Sequence, residues 1–526
     1  MLRGYRALAA PALALVLAAP VGAETLADAI ALAYRTNPTL ESGRYDLRAT
    51  DEGLVQARSQ LRPSAELDVT GTYARTVEGR TSQRANPSGP EAFDRNSNQA
   101  EVVLTQPIYT GGRATAARQS AIAAIRSGRE TLRGAEGDLL LSVITAYVDV
   151  RRYAAALGVW HASVDDLEKL TREIDARKIA GEVTLTDVAQ AQAQLSIARQ
   201  QVVATEQALE AARTDYAALV GRDPGDLAEE PTLPNLPLRV EDAFELAERQ
   251  NPELQRAVFT EQGSRANIVA AKAQGRPTLS LRGTAELSGK AVPYHLHDQD
   301  QGYTGAVVLS VPLTAGGLVA SQIRQAEDRN GSDRFKIEAV RREVDRAVSY
   351  AWNQMVTAGQ QADLQDEQRR FAETQLDGMI NEYRVGLRST FDVLYAQQQL
   401  RDAEVALLGS ERDRYVSAAT LLRQAGLLEA RAIMTGVQLH DPAKHLRDVE
   451  HRNAVPWDRL LAALDKAVAP RARQRTLQQP GISGETPVIV AASTRPAQPS
   501  LSRSLPHVPI AGTVGRSVPV DHRKLH

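Results

Sequence analysis

Two aspartates in matched settings are the residues best placed to do chemistry. Asp187 lies in GEVTLTDVAQ and Asp392 in GLRSTFDVLY, each three residues after a hydroxyl side chain, Thr184 or Ser389. A carboxylate three residues beyond Ser or Thr is the pattern of a capping box, in which acid and hydroxyl each satisfy a backbone N–H at a helix start. An acid there also suits the helix dipole. Thr186, Tyr383 and Arg388 lie close by in sequence and offer a second chemistry. A guanidinium can bridge carboxylate, hydroxyl and carbonyl acceptors with several donors. Other chemistry is sparse. There is no cysteine, which excludes disulfides, thiolate metal sites and a cysteine nucleophile. His295 and His297 form an HLH pair inside a turn-rich segment that reads as a solvated loop. No metal spacing, nucleophile–base set, phosphate loop or cofactor motif stands out, so the chain does not read as an enzyme.

The elements that carry these residues come in two copies. ARKIAGEVTLTDVAQAQAQL (176–195) matches the segment ending YRVGLRSTFDVLYAQQQL (383–400) at a constant offset, Gly181 falling on Gly386 and Asp187 on Asp392. LADAIALAYRTNPTL recurs as VEDAFELAERQNPEL, and VVLTQPIYTGG (102–112) as VVLSVPLTAGG (307–317). The spacing predicts one order of elements twice over: helix, strand, loop, strand, long helix, turn, helix. The first copy spans residues 24–223 and the second 238–430, joined by the proline-rich linker 224–237.

Each copy changes period after its first helices. Ala65, Leu67, Val69, Gly71 and Tyr73 alternate with polar residues, and so do Leu279, Leu281, Gly283 and Ala285; the return strands are expected at 99–109 and 303–313. Strands of about ten residues with one apolar face occur in outer-membrane barrels and in soluble sheets alike. Two equivalent hairpins with no other sheet partner favour the membrane. Four strands cannot close a membrane barrel, and an open edge cannot stay in lipid, so the strands demand two, three or four chains. After them, the proline-free run 115–179 would reach roughly 100 Å as one helix. Apolar residues from Leu139 to Leu167 and from Val188 to Leu219 alternate steps of three and four, a coiled-coil seam. In the second copy the seam weakens at Arg414.

The ends fix the compartment. Arg3 and Arg6, an apolar stretch from Ala7 to Ala19 and small residues before position 24 read as a signal peptide over residues 1–23. Without a cysteine at that point no lipid anchor is expected. A net charge of −2 gives no reason to expect nucleic acid. Residues 431–526 hold one short amphipathic helix near 456–468 and then a proline-, serine- and arginine-rich stretch that reads as a disordered tail.

A duplicated helix–hairpin–long-helix chain with paired Asn-Pro motifs, the QPIYTGG and VPLTAGG strand ends and these two turns resembles the TolC family of outer-membrane channel-tunnels. The resemblance implies a mainly α fold with a β-barrel. It implies a homotrimer in which twelve strands form one barrel in outer-membrane lipid and twelve long coiled-coil helices form a periplasmic tunnel. It implies an export duct, working with a periplasmic adaptor protein and an inner-membrane ABC or proton-driven transporter. The turns then lie at the closed end: Thr186 and Asp187 of one hairpin meet Tyr383 and Arg388 of the other, and Asp392 joins a ring of acids. The exposed tips, Ile179, Ala180 and Gly181 with Val385, Gly386 and Leu387, dock the adaptor. The archetype's second aspartate is Tyr395 here, which thins the charged ring. VQLHDPAKHLRDV (437–449) resembles the DP-x-x-H segment of members that serve type I secretion, and tilts the expectation towards that role over multidrug efflux. A structural or adhesive coiled coil is the competing class, disfavoured because the hairpins are internal and duplicated.

Overall fold

The computed structural model describes residues 23–77, 92–291, 295–433, 439–450, 452 and 454–469. The expected signal peptide, most of the first hairpin's loop, the start of the DP-x-x-H segment and the tail from Pro470 lie outside these residues.

The two halves match element for element. Helices α1 (Leu26–Thr36) and α2 (Pro38–Ser59) precede strands β1 (Ser64–Val77) and β2 (Ala92–Tyr109), then the long α3 (Arg113–Ile179) and α4 (Leu185–Val220). Helices α5 (Val240–Gln250) and α6 (Pro252–Ala273), strands β3 (Thr278–Gly289) and β4 (Asp300–Ser310), and helices α7 (Leu318–Arg384) and α8 (Thr390–Ala425) repeat the order. Paired helices have equal lengths of 11, 22, 67 and 36 residues. Both Asn-Pro motifs do the same work. Asn37 and Asn251 accept from the two N–H groups that follow their proline, capping α2 and α6, while their amides reach the carbonyls of Leu219 and Gln424 at the far ends of α4 and α8. A core of Leu26, Ile30, Tyr34, Leu140, Ile144, Tyr147 and Tyr216 gathers around these ends.

The four strands form one antiparallel sheet in the order β1-β2-β3-β4. Its register puts Leu67, Val102, Ala285 and Tyr303 in one row, and Ala65, Leu104, Gly283 and Gly305 in the next. The row between them is Glu66, Val103, Thr284 and Thr304, and the row beyond Leu67 holds Asp68, Glu101 and Glu286, both on the opposite face. One face is therefore apolar, exposed on β1 and β4 and partly covered on β2 and β3, and the other carries Glu66, Asp68, Glu101, Arg282 and Glu286. β4 stops at Ser310, short of the expected Leu313, because Pro312 has no N–H to extend the ladder. β2 copes with its own proline through a register shift between Pro107 and Tyr109.

The seams bury as the spacing predicts: Val143, Ala146, Val150 and Leu167 on α3, and Val188, Ala191, Ala198, Leu209, Ala212 and Tyr216 on α4. On α8 the change of seam near Arg414 has a physical cause. Arg412 turns to Asp149 of α3 at 2.8 Å, while Arg414 stays exposed near Asp363. Beyond α8 come α9 (Ala430–Ile433), α10 (Lys444–Glu450) and α11 (Asp458–Ala467). The last two are not a solvated tail. His445 of the DP-x-x-H segment meets the buried Asp51 of α2 at 3.1 Å, and Asp465 of α11 is fully buried.

Candidate functional site

Each long helix ends in the same turn. The N–H of Glu182 reaches back to the Arg177 carbonyl at 2.9 Å, and that of Leu387 to the Glu382 carbonyl at 2.9 Å. Gly181 and Gly386 sit between them with φ of 80° and 79°, a left-handed conformation that any Cβ would strain. Three residues later comes the N-cap of the return helix, Thr184 or Ser389. Asp187 accepts from the backbone and hydroxyl of Thr184 at 2.9 and 2.7 Å, and Asp392 from those of Ser389 at 3.0 and 2.8 Å. Both aspartates thus complete capping boxes. The Thr184 hydroxyl and N–H hold the Asp187 carboxyl below the ordinary aspartate value, and the Ser389 N–H and hydroxyl do the same for Asp392.

The residues expected to meet across the two turns divide. Tyr383 is buried among Leu167, Leu170 and Ile174 of α3, Val188 of α4 and Val393 of α8, with the Arg177 guanidinium 4.6 Å from its ring centre. Its hydroxyl, also buried, has no hydrogen-bond partner among the described residues. Arg388 pairs with Glu382 at 2.6 Å, across its own turn. Thr186 is exposed. Within one chain no hydrogen bond or ion pair joins Thr186 or Asp187 to Tyr383 or Arg388. The hairpins meet at this end through that apolar cluster and the cation–π stack of Arg177 on Tyr383, which sequence reasoning missed; the residues become neighbours only when the hairpins pack. Glu382, six residues before Arg388, was legible as a charge partner across a tight turn.

The tips themselves are bare. Ile179 is 89% exposed, and Val385, Leu387 and Leu185 are exposed beside it, with Ala180, Gly181 and Gly386. Phe391 and Tyr395 stack on the outer face of α8, ring centres 6.1 Å apart, where the first copy has Thr186 and Gln190. Among the described residues no group of three or more His, Asp or Glu side chains is arranged to hold a metal ion.

A sheet with one apolar exposed face, set on helices some 100 Å long that end in closed turns, defines a channel subunit of the outer membrane with a periplasmic helical part. Residues 29–222 and 243–427 match the family described as outer membrane efflux protein, and the chain belongs to that family. It is 28% identical to the outer membrane efflux protein BepC of Brucella suis over 82% of this chain and 91% of that protein. It is 24% identical to the outer membrane protein TolC of Escherichia coli, over 78% of this chain and 84% of that one. The fold matches the CmeC outer membrane channel of Campylobacter jejuni with a TM-score of 0.67, covering 82% of this chain and 90% of that chain. The family is one of channels that serve efflux or secretion.

Proposed function

We propose that three copies of this chain join edge to edge into a barrel of twelve strands and a tunnel of twelve helices, and that this duct serves type I secretion. The open sheet carries the reading. β1 and β4 present unpaired edges beside an apolar face, and such edges cannot remain in lipid. β4 of one copy pairing with β1 of the next removes both. Along α7, Tyr350, Leu364 and Phe371 are exposed at multiples of seven residues, a seam waiting for a neighbouring helix. Twelve strands exceed the minimum for a membrane barrel. In this reading 24–223 and 238–430 are equivalent building blocks of the wall.

The tips form the periplasmic gate. Thr186 and Asp187 of one hairpin face Tyr383 and Arg388 of an adjacent one, the unpartnered Tyr383 hydroxyl finding its acceptor there, with Asp392 at the mouth. Ile179–Gly181 and Val385–Leu387 dock a periplasmic adaptor bound to an ABC transporter. The DP-x-x-H segment favours secretion. The efflux named for BepC is the second reading, with a drug-pump adaptor and a proton-driven transporter on the same tips. Replacing Tyr383 by Phe and Arg388 by Ser together should raise single-channel conductance in a planar bilayer, and unchanged conductance removes them from the gate. A photoreactive residue at Val385 in cells then separates the two uses: an adaptor encoded with an ABC exporter supports secretion, a drug-pump adaptor supports efflux.

A further inference from the structure

Helix α11 packs at the base of the sheet, against the end of β2 and the start of α3. At its start, Asp458 accepts from Arg62 at 3.3 Å, two residues before β1. The Trp457 indole N–H donates to Gln106 of β2 at 3.2 Å. Near its end, Asp465 is held by Thr110, Gly112 and Thr115, just beyond β2, and the Val468 carbonyl accepts from Arg276, two residues before β3. The ten residues of α11 cover about 15 Å, with Arg62 and Arg276 reaching it from the bases of β1 and β3. Gln106 also fixes which side it is on. It continues the alternation Ala100, Val102, Leu104 and pairs with Leu281, so it ends the apolar, outward row of β2. α11 therefore sits outside the barrel, at the periplasmic end of the apolar belt.

Its free face fits that place. Trp457, Leu460, Leu464 and Val468 follow steps of three, four and four, and all are exposed, Leu460 by 74%. Arg459 and Lys466, seven residues apart and exposed, lie on the other side of the helix. Both acids of the helix are engaged, Asp458 with Arg62 and Asp465 in its buried site, so the outer surface is apolar and cationic. We propose that α11 is an interfacial anchor: the stripe of Trp457, Leu460, Leu464 and Val468 enters the periplasmic leaflet of the outer membrane, and Arg459 and Lys466 meet its anionic headgroups. Amphipathic helices with this division of residues bind bilayer surfaces, and tryptophan concentrates at the membrane–water interface. A neighbouring copy is the other candidate to cover the stripe. Its contacts fall at the sheet edges β1 and β4, whereas α11 is pinned to β2 and the start of α3 through Trp457 and Asp465. The anchor rests on the outer-membrane placement of the sheet and is independent of the gate.

The test is fluorescence quenching by brominated phospholipid, with the full chain in phosphatidylethanolamine–phosphatidylglycerol vesicles. The chain has three tryptophans; Trp160 and Trp352 are on α3 and α7, so the difference between the native protein and Trp457→Phe isolates Trp457. Lipid brominated near the headgroup should cut the Trp457 signal about two-fold, with deeper bromines cutting it less. Val307→Trp in the Trp457→Phe background reports the sheet itself. Quenching at Val307→Trp without quenching of Trp457 overturns the anchor and leaves the barrel standing; quenching of neither overturns both. In this cysteine-free chain, a covalent dimer formed by Leu464→Cys with Leu313→Cys would show another copy on the stripe and would also overturn the proposal.

Discussion

The two halves agree in the length of every paired helix and differ in how they finish their buried polar groups. At the top of α3, Asp465 accepts from the N–H and hydroxyl of Thr110, the N–H of Gly112, and the N–H and hydroxyl of Thr115, between 2.8 and 3.1 Å. At the top of α7 the matching residues are Ala315 and Ala320, and the start is exposed. Lower down, α2 buries Asp51 and α6 buries Glu261, one turn earlier on the repeat. Asp51 has the single partner His445, and its other oxygen has none among the described residues. Glu261 has Arg265 at 2.7 Å, Asn330 at 3.0 Å and Arg334 at 3.4 Å. The backbone is matched in the two halves; the C-terminal segment supplies the partners of the buried polar groups in the first half, while the second half satisfies its acid from its own helices. The matched scaffold thus carries an asymmetric set of polar locks.

The largest expected effect breaks that asymmetry at α11. Burial raises the Asp465 carboxyl, but the hydrogen bonds from Thr110 and Thr115 outweigh it and leave it below the ordinary aspartate value. It is ionised at neutral pH. Asp465→Ala leaves several buried donors without an acceptor and should cost about 3 kcal/mol, read as a lower thermal midpoint by circular dichroism. Ala315→Thr with Ala320→Thr, the reverse graft, should stay within about 0.5 kcal/mol because no acid reaches the second helix start. A neutral Asp465→Ala would mean that α11 is held by its other contacts and that the two starts are equivalent after all.

Much of this frame was legible. Periodicity and repetition gave the hairpins, the two long helices and the turns, because each depends on residues near one another in sequence. The capping boxes at Asp187 and Asp392 were legible for the same reason. The locks were not. Asp465 lies some 350 positions from Thr115, and nothing in WDRLLAALDKAV distinguishes a buried acid from a solvated one. His445 stood out only as part of a motif, with no hint that its partner is Asp51. At the tips, sequence placed Tyr383 on the gate, and the chain buries its ring under Arg177; the two hairpins must pack before that contact exists.

Glu261 gives the next largest effect. Burial raises its carboxyl, yet the hydrogen bonds from Arg265, Asn330 and Arg334 bring it below the ordinary glutamate value. Its contribution is therefore present above the unfolded pKa and lost as pH falls through the lower, folded one. Glu261→Gln should cost about 2 kcal/mol at neutral pH, since two guanidinium groups lose their carboxylate, and the loss should shrink in acid. A loss that did not depend on pH would assign Glu261 to packing.

Asp51 should give a smaller effect than Asp465 or Glu261, with the opposite sign in pH. Burial holds its carboxyl above the ordinary value, and the His445 hydrogen bond and the nearby Arg129 only partly offset that. A raised carboxyl favours the folded state when protonated, so its contribution is present below the unfolded pKa and is lost as pH rises through the folded one. Asp51→Asn removes the buried charge and keeps an acceptor for His445, so it should stay within about 1 kcal/mol of the native protein at neutral pH. Thermal midpoints of Asp51→Asn and Glu261→Gln measured from acid to neutral pH should therefore diverge as pH rises, the first gaining on the native protein and the second falling further below it. Parallel curves would show that the two acids share one environment and would remove the asymmetry between the halves at this level of the wall.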